Sequence, residues 1–220
     1  MNKINIIHKS SLQECYIAAA RTGISEMMEL VGKKCNINDI ALADNLVEEF
    51  EENLLSRQPK PKRRREASML DADFMLTALF NMKAETTLGR DSTNLCIIDK
   101  DLNYPKINGW IFGIACGHVT IQSIYRMANA GLFSKKLGGI SDNHKSEIFK
   151  TLLMHELGHL LLPMPPVKSY DKRPEFRDHC RYRVCLMSQF MSLCELEKLT
   201  RIRLGRSSPL CEFCMSSISR

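Results

Sequence analysis

The chain has 220 residues, of which 44% are hydrophobic and 25% charged, and its mean hydropathy is −0.20. This length fits a single domain over residues 1–220 that buries its own core, and no run of about 18 uncharged apolar residues could cross a membrane. The amino-terminal stretch MNKINIIHKSS is too poor in apolar residues for a secretory signal, so we expect a soluble cytoplasmic protein and a monomer.

The formal net charge is +6 and the isoelectric point is near 8.8. The positive residues are spread along the chain except in the run PKPKRRRE, residues 59–66. Prolines alternate with positive charges there, which is typical of a solvated linker rather than a helix. We therefore interpret residues 57–66 as a basic linker, with a nuclear-localisation or nucleic-acid patch as the alternative, and we expect neither a membrane nor nucleic acid as partner.

The first part of the chain combines a strand with three helices. Residues 3–8 (KINIIH) predict a short strand, and residues 10–31 predict a helix with small apolar residues on one side. A second helix is predicted over residues 38–55, where apolar residues recur with a period close to 3.6. A third is predicted over residues 68–85, closed by Leu88 and Gly89.

Strands follow, and then a long helix. Residues 94–99 and 109–127 are rich in Ile, Val, Thr and aromatic residues, with Gly117 at a predicted turn. From Ser141 or Asp142 the period is again that of a helix, which Pro163 ends because proline lacks an N–H and disfavours the α conformation in the preceding residue. Strands interleaved with helices predict a mixed α/β (α+β) domain.

The pattern HELGH lies in this last helix, at residues 155–159. His155 and His159 are four residues apart, so that both imidazoles lie on one face and can bind one metal ion. Glu156 can take a proton from a metal-bound water, whose pKa a catalytic zinc ion lowers to about 7. These residues form the H-E-x-x-H arrangement of zinc hydrolases, and the alternative is a chance match in an unrelated helix.

A catalytic zinc site takes three protein ligands and leaves the fourth position for water, so a third ligand is needed. Three histidines elsewhere in the sequence are expected to be surface or locally bonded residues: His8, His118 and His144. Four side chains that follow the helix are candidates: Asp171, Glu175, Asp178 and His179. Their spacing alone does not choose among them.

The nine cysteines suggest a second metal site. Without a secretory signal we expect reduced thiols, for which metal binding competes better than disulfide formation. Two short-spaced pairs, about 25 residues apart, suit a tetrahedral structural zinc site: Cys180 with Cys185, and Cys211 with Cys214. The alternative is four free thiols. The other five are interpreted as small apolar residues: Cys15, Cys35, Cys96, Cys116 and Cys194.

Taken together, these motifs resemble those of the archaemetzincins, zinc-dependent metzincin-like proteases with the pattern H-E-x-x-H-x-x-G-x-x-H-C-x-x-x-x-C-x-M followed by C-x-x-C. The first part of the pattern is matched by His155, Glu156 and His159. The second part is matched by His179, Cys180, Cys185 and Met187, and the last by Cys211 and Cys214. The segment CIIDKDLNYPKINGWIFGIA is also similar to the family's stretch before the active-site helix.

The resemblance implies a metzincin-like catalytic domain with a mixed twisted sheet, an active-site helix over about residues 142–162 and a C-terminal zinc subdomain with four cysteine ligands over residues 179–220. Residues 1–162 would form the N-terminal subdomain. The chain would be a zinc metallopeptidase acting on a peptide or protein, with Glu156 as general base and Met187 in the turn beneath the metal. It would bind two Zn²⁺: a catalytic ion at His155, His159 and His179, and a structural ion at Cys180, Cys185, Cys211 and Cys214.

One feature departs from the family pattern. Nineteen residues separate His159 from His179, where the pattern has five, and Leu162 replaces its glycine. We interpret residues 163–178 as an inserted loop, because the cost of closing a loop grows slowly with its length. The intact register after the insert favours His179 as the third ligand, with Glu175 or Asp171 as alternatives. Because Cys180 follows His179, the resemblance implies that the structural zinc anchors this ligand.

Two expectations about function follow. As a peptidase, the chain would bind an extended substrate at a sheet edge near residues 111–115, by the main-chain pairing common to such substrates. As the alternative, a degenerate site would leave a zinc-stabilised binding module whose basic segment contacts an acidic partner, with salt-sensitive affinity.

Overall fold

The computed structural model describes residues 3–58, 69–85, 92–107, 109–162 and 179–218. They form two compact units: one is Met1–Ile17 with Lys34–Ala128, and the other is Ala18–Lys33 with Asn129–Arg220. This division differs from the expected one, since the H-E-x-x-H helix lies in the same unit as the cysteine pairs. The expected insert (163–178), the basic run of the linker (59–66) and the expected helix end at Leu88 and Gly89 lie outside the described residues.

The described residues contain eight strands: β1 (Lys3–Lys9), β2 (Asn36–Leu42), β3 (Leu70–Asp71), β4 (Ser92–Ile98), β5 (Leu102–Tyr104), β6 (Gly109–Ile111), β7 (Gly113–Cys116) and β8 (Val119–Ser123). They also contain eight α-helices: α1 (Glu14–Leu30), α2 (Asp44–Arg57), α3 (Ala72–Glu85), α4 (Tyr125–Ala128), α5 (Ala130–Phe133), α6 (Asp142–Leu161), α7 (Leu193–Leu204) and α8 (Glu212–Ile218). In this described part of the chain, no helix is long and apolar enough to span a membrane.

The main sheet of the first unit has the strand order β2-β1-β4-β8-β7. The first four strands run parallel, and β7 pairs antiparallel with β8. Every residue of β4 and β8 is buried, as is usual for strands of a parallel sheet covered on both faces. Gly117 has a φ of 58° in the turn between β7 and β8, as the predicted turn requires. The prediction of a mixed α/β fold is therefore confirmed.

A helix predicted over residues 38–55 is wrong in its first part. Residues Asn36–Leu42 form strand β2, parallel to β1, and the helix starts only at Asp44. Pairing with β1 satisfies the backbone of this segment, and the side chain of Asn38 donates a hydrogen bond to Asn5 Oδ1 at 3.0 Å. Pairing between strands distant in sequence thus overrides a local pattern with helical periodicity.

An apolar core lies between the sheet and two helices of the first unit. Side chains from α2, α3, β4 and β8 contact one another in it, and its fully buried members include Leu70, Leu102, Val119 and Ile121. A small second sheet, with the order β3-β5-β6, adjoins this core. The main sheet ends at β7, the outer strand that contains most of the edge expected at residues 111–115.

Helix α6 is the central element of the second unit. Its N-terminus is capped by Ser141, whose Oγ accepts a hydrogen bond from the backbone of His144 at 3.3 Å. Eleven consecutive residues, 148–158, are buried, so that neighbours cover this stretch on every side. The helix ends at Leu161, and Leu162 is extended, as expected for a residue before proline.

Polar contacts attach α6 to its neighbours. Lys150 lies 2.9 Å from Glu26 on α1, and Arg203 on α7 donates to Thr151 Oγ1 at 3.0 Å and pairs with Glu147. Lys150 and Arg203 are both almost fully buried, and each has two carboxylate partners. These ion pairs hold the helix with the H-E-x-x-H motif between α1 and α7.

Candidate metal centres

The three histidines of the expected catalytic site lie together in the second unit. Each offers one ring nitrogen, and these atoms lie within 4.8 Å of one another. His155 Nε2 and His159 Nε2 are 3.1 Å apart, close to the separation of about 3.3 Å between two nitrogen ligands of a tetrahedral zinc ion. The ring of His179 lies 5.2 Å from that of His155 and 4.8 Å from that of His159. The spacing of the donors fits zinc.

A backbone carbonyl sets the orientation of His155. Its Nδ1 lies 2.7 Å from Leu186 O. Since a carbonyl oxygen can only accept, Nδ1 carries the hydrogen, and Nε2 keeps the lone pair that binds a metal. Burial lowers the pKa of His155 well below its usual value and that of His159 to about 3. Both rings are therefore neutral at pH 7, the state that a metal ligand needs.

Glu156 is on the same buried segment of α6, about 100° around the helix from His155. Its side chain is almost fully buried, and burial raises the pKa of its carboxyl to about 8. Helix geometry thus provides a carboxyl group beside the histidines.

The four cysteines of the expected structural site form a second group. All four are buried, and their sulfur atoms lie within 4.8 Å of one another. Cys180 Sγ and Cys211 Sγ are 3.7 Å apart, and tetrahedral zinc with bonds of about 2.3 Å places its sulfur ligands about 3.8 Å apart. Hydrogen bonds from Cys185 and Cys214 lower the pKa of the Cys180 thiol, so the group stabilises a thiolate. The donor set fits zinc.

Met187 packs against α6 at Gly158. A Cβ added at Gly158 would overlap Met187 Sδ and would lie 3.1 Å from its Cε, so only glycine leaves room for this thioether. On the same turn, Phe190 contacts His155 with ring centroids 4.8 Å apart. The methionine expected in the turn therefore lies directly against the helix that carries two of the histidines.

Comparison with known proteins supports the fold. No protein-family profile matches this sequence, and no curated protein matches it. A solved structure does match: the archaemetzincin from Methanopyrus kandleri, with 19% sequence identity and a TM-score of 0.58, over 100% of this chain and 94% of that one. The chain has the archaemetzincin fold. The expected combination of a mixed sheet, a long helix over the H-E-x-x-H motif and a cluster of four cysteines is confirmed at the level of fold.

The other three histidines of this archaemetzincin fold lie outside the two candidate metal groups. His8 Nδ1 lies 2.7 Å from Lys9 O, and His144 Nε2 lies 3.1 Å from Glu197 Oε1, so both histidines have local partners as expected. His118 is exposed. Among the described residues, none of these histidines joins a metal group. The alternative third ligands lie outside the described residues: Asp171, Glu175 and Asp178.

The five remaining cysteines divide into three kinds, of which Cys15 and Cys35 are partly buried. Cys96 is buried in the first unit as expected for a small apolar residue, and burial raises its pKa to about 12. Cys116 and Cys194 are exposed, so that interpretation is wrong for these two. Their positions, at the end of the outer strand β7 and in the first turn of α7, leave the thiols at the surface.

Sequence reasoning missed two members of the histidine site of this archaemetzincin fold. The Leu186 carbonyl has no sequence signal, because every residue carries a carbonyl. Gly158 had one: glycine inside a helix costs about 1 kcal/mol relative to alanine, so its presence there indicates a close contact.

Proposed function

We propose that the protein is a zinc-dependent metallopeptidase that hydrolyses peptide bonds. The observation that supports this most strongly is the group of three histidines, with donor atoms within 4.8 Å, two of which share a buried helix with Glu156. An H-E-x-x-H pair with a third histidine is the ligand set of metal-dependent peptide hydrolysis, and the likeness to an archaemetzincin agrees with it.

In this proposal His155, His159 and His179 hold a catalytic zinc ion. The ion supplies Lewis acidity to the scissile carbonyl and to a water molecule. Leu186 keeps the hydrogen of His155 on Nδ1, so that Nε2 stays available as a ligand.

Glu156 acts as the general base and then as the general acid. Burial alone raises its pKa to about 8, but a zinc ion held by the histidines would favour its carboxylate form, which takes a proton from the attacking water as the oxygen approaches the carbonyl carbon. The protonated carboxyl then gives that proton to the nitrogen of the leaving amine. Because this residue binds no metal in the proposal, its replacement affects catalysis and leaves the metal in place.

A second zinc ion is proposed at Cys180, Cys185, Cys211 and Cys214, with a structural role. Elemental analysis of protein purified under reducing conditions should then give two zinc ions per chain. One ion that is lost in Cys211→Ser but kept in His155→Ala would instead favour a zinc-stabilised binding module without catalysis.

Peptide-library hydrolysis with the Glu156→Gln variant tests the reaction. We expect the rate to fall by about 10²- to 10⁴-fold, the usual contribution of a general acid–base group, with the zinc content unchanged. Glu29→Gln, which changes an exposed glutamate on α1, is the matched control and should keep full activity. Undiminished hydrolysis by Glu156→Gln would exclude the mechanism.

A further inference from the structure

Three consecutive residues connect the two metal groups. Cys185 contributes its thiol to the cysteine group. Leu186 accepts the Nδ1 hydrogen of His155 at 2.7 Å through its carbonyl oxygen. Met187 packs its thioether against α6 at Gly158. A shift of this short stretch therefore moves a cysteine ligand and a contact of a histidine ligand together.

A second connection runs through the third histidine. His179 is covalently bonded to Cys180, whose backbone N–H donates to Met187 O at 2.7 Å. Cys180 also forms an isolated bridge with Ser188. The segment 179–188, here called the ligand turn, is closed at both ends by these bonds. It carries His179, two of the four cysteines and the Leu186 carbonyl.

The ligand turn has no regular secondary structure of its own to fix its shape. Apart from the isolated bridge residues, it contains no helix or strand. Besides its contacts with α6, the turn is joined to the segment that leads into α8: Leu186 N donates to Pro209 O at 2.8 Å, and Cys211 N donates to Cys185 Sγ at 3.4 Å. A metal bound by all four thiols would join the turn to that segment at two further points, Cys211 and Cys214. It would restrict the turn much as a covalent cross-link does.

We propose that the four cysteines are positioning residues for the histidine site, so that metal binding at the two groups is positively coupled through the ligand turn. This inference rests on the proposed function only in taking the histidine group as a metal site. It does not require that the protein hydrolyse peptides.

The coupling is reciprocal by thermodynamic necessity. If metal in the cysteine group raises the affinity of the histidine group by some factor, metal in the histidine group raises that of the cysteine group by the same factor. Loss of a contact that orients a histidine ligand typically weakens metal binding about 10- to 100-fold. We expect a coupling factor of that size, since both connections reach the histidine group directly.

Native mass spectrometry of the wild-type chain during stepwise zinc removal by a chelator measures this factor without any substitution. If zinc binding at the two groups is positively coupled, chains with one zinc ion are rarer, relative to chains with none and with two, than independent binding would give. A one-zinc population equal to that of two independent sites with the same separate affinities would overturn the proposal.

Zinc competition with variants measures the same factor from each side. In Cys211→Ser, which changes a ligand far in sequence from the histidines, zinc affinity at the histidine group should fall about 10- to 100-fold. In His155→Ala, zinc affinity at the cysteine group should fall by the same factor. Leu199→Ala, at a buried position of α7, is the control for general destabilisation, and a fall in Cys211→Ser no larger than in this control would contradict the proposal.

The ¹⁵N resonances of His155 provide a signature that general destabilisation does not change. In the wild type we expect the neutral tautomer with hydrogen on Nδ1, and in Cys211→Ser a mixture of the two tautomers. An unchanged tautomer, together with unchanged affinity, would show that the cysteines do not position this ring. If the coupling is found and peptides are not cleaved, only the proposed reaction fails.

Discussion

Gly158 is the point where the helix that carries two histidines meets the ligand turn. A Cβ at this position would overlap Met187 Sδ and would lie 3.1 Å from Cε, within the range of tight contact. Met187 is 2% exposed, so its thioether has no open space on the solvent side. We expect Gly158→Ala to push Met187 away from α6, and with it the adjacent Leu186 carbonyl that orients His155.

Two opposing effects determine the change in stability. Alanine in a helix interior is favoured over glycine by about 1 kcal/mol, whereas overpacking a core costs about 1–3 kcal/mol. The net loss of unfolding free energy is therefore about 1 kcal/mol, since a flexible thioether yields more easily than backbone. Metal binding is more sensitive, and displacement of the carbonyl is expected to lower zinc affinity at the histidine group about 10-fold.

Urea unfolding and zinc competition test this prediction. Gly139→Ala is the matched control, because an added Cβ there meets nothing within 4 Å. In the double variant with Met187→Ala the overlap disappears, so the two destabilisations should be less than additive by the whole overpacking cost, about 2 kcal/mol. Strict additivity, or zinc affinity in Gly158→Ala equal to that of the control, would refute the reasoning.

Three further predictions concern stability. Burial raises the pKa of Glu51 from 4.5 to about 6, so the folded state binds this proton more tightly than the unfolded state does, and the free energy of unfolding falls as pH rises through that window. In Glu51→Gln this fall, about 1–2 kcal/mol between pH 4 and pH 7, should disappear from urea unfolding. Arg203→Met leaves Glu26 and Glu147 without this partner and should cost about 2 kcal/mol, since both carboxylates are partly exposed, while the exposed Arg201→Met should cost under about 0.5 kcal/mol. Chelation should lower Tm, and Zn²⁺ but not Mg²⁺ should restore it, because thiol and imidazole donors do not suit magnesium. The first prediction would be contradicted if Glu51→Gln kept the pH dependence of the wild type, and the second if the two arginine variants lost equal unfolding free energy. The third would be contradicted if chelation left Tm unchanged.

Helix α6 could be predicted almost to the residue, because both of its end signals are local. Ser141 caps the N-terminus and the residue before Pro163 leaves the helix, so the expected range of 142–162 matches Asp142–Leu161 closely. Strand β2 could not be predicted in this way. Its residues Asn36–Leu42 have helical periodicity, and only the neighbouring strand β1 decides their conformation.

The candidate site also contains residues whose positions follow from local sequence and residues whose positions do not. His155 and His159 share a helix, so their proximity follows from spacing alone. The position of His179 depends on tertiary structure, and only the likeness to archaemetzincin motifs selected it from four candidates. The Leu186 carbonyl was beyond prediction, because its role depends on where the ligand turn lies and not on its side chain.

The spacing of nineteen residues between His159 and His179 is compatible with an intact site for a reason visible in the structure. His179 is held by the ligand turn, through Cys180 and the bond to Met187, and not by its distance along the chain from α6. Closing a chain segment of nineteen residues rather than five costs about 1 kcal/mol more in conformational entropy. Structural zinc in small proteins binds with about 10–16 kcal/mol, which exceeds that cost many times over. A zinc ion in the cysteine group, as proposed above, would hold the third histidine in place whatever the length of the preceding segment.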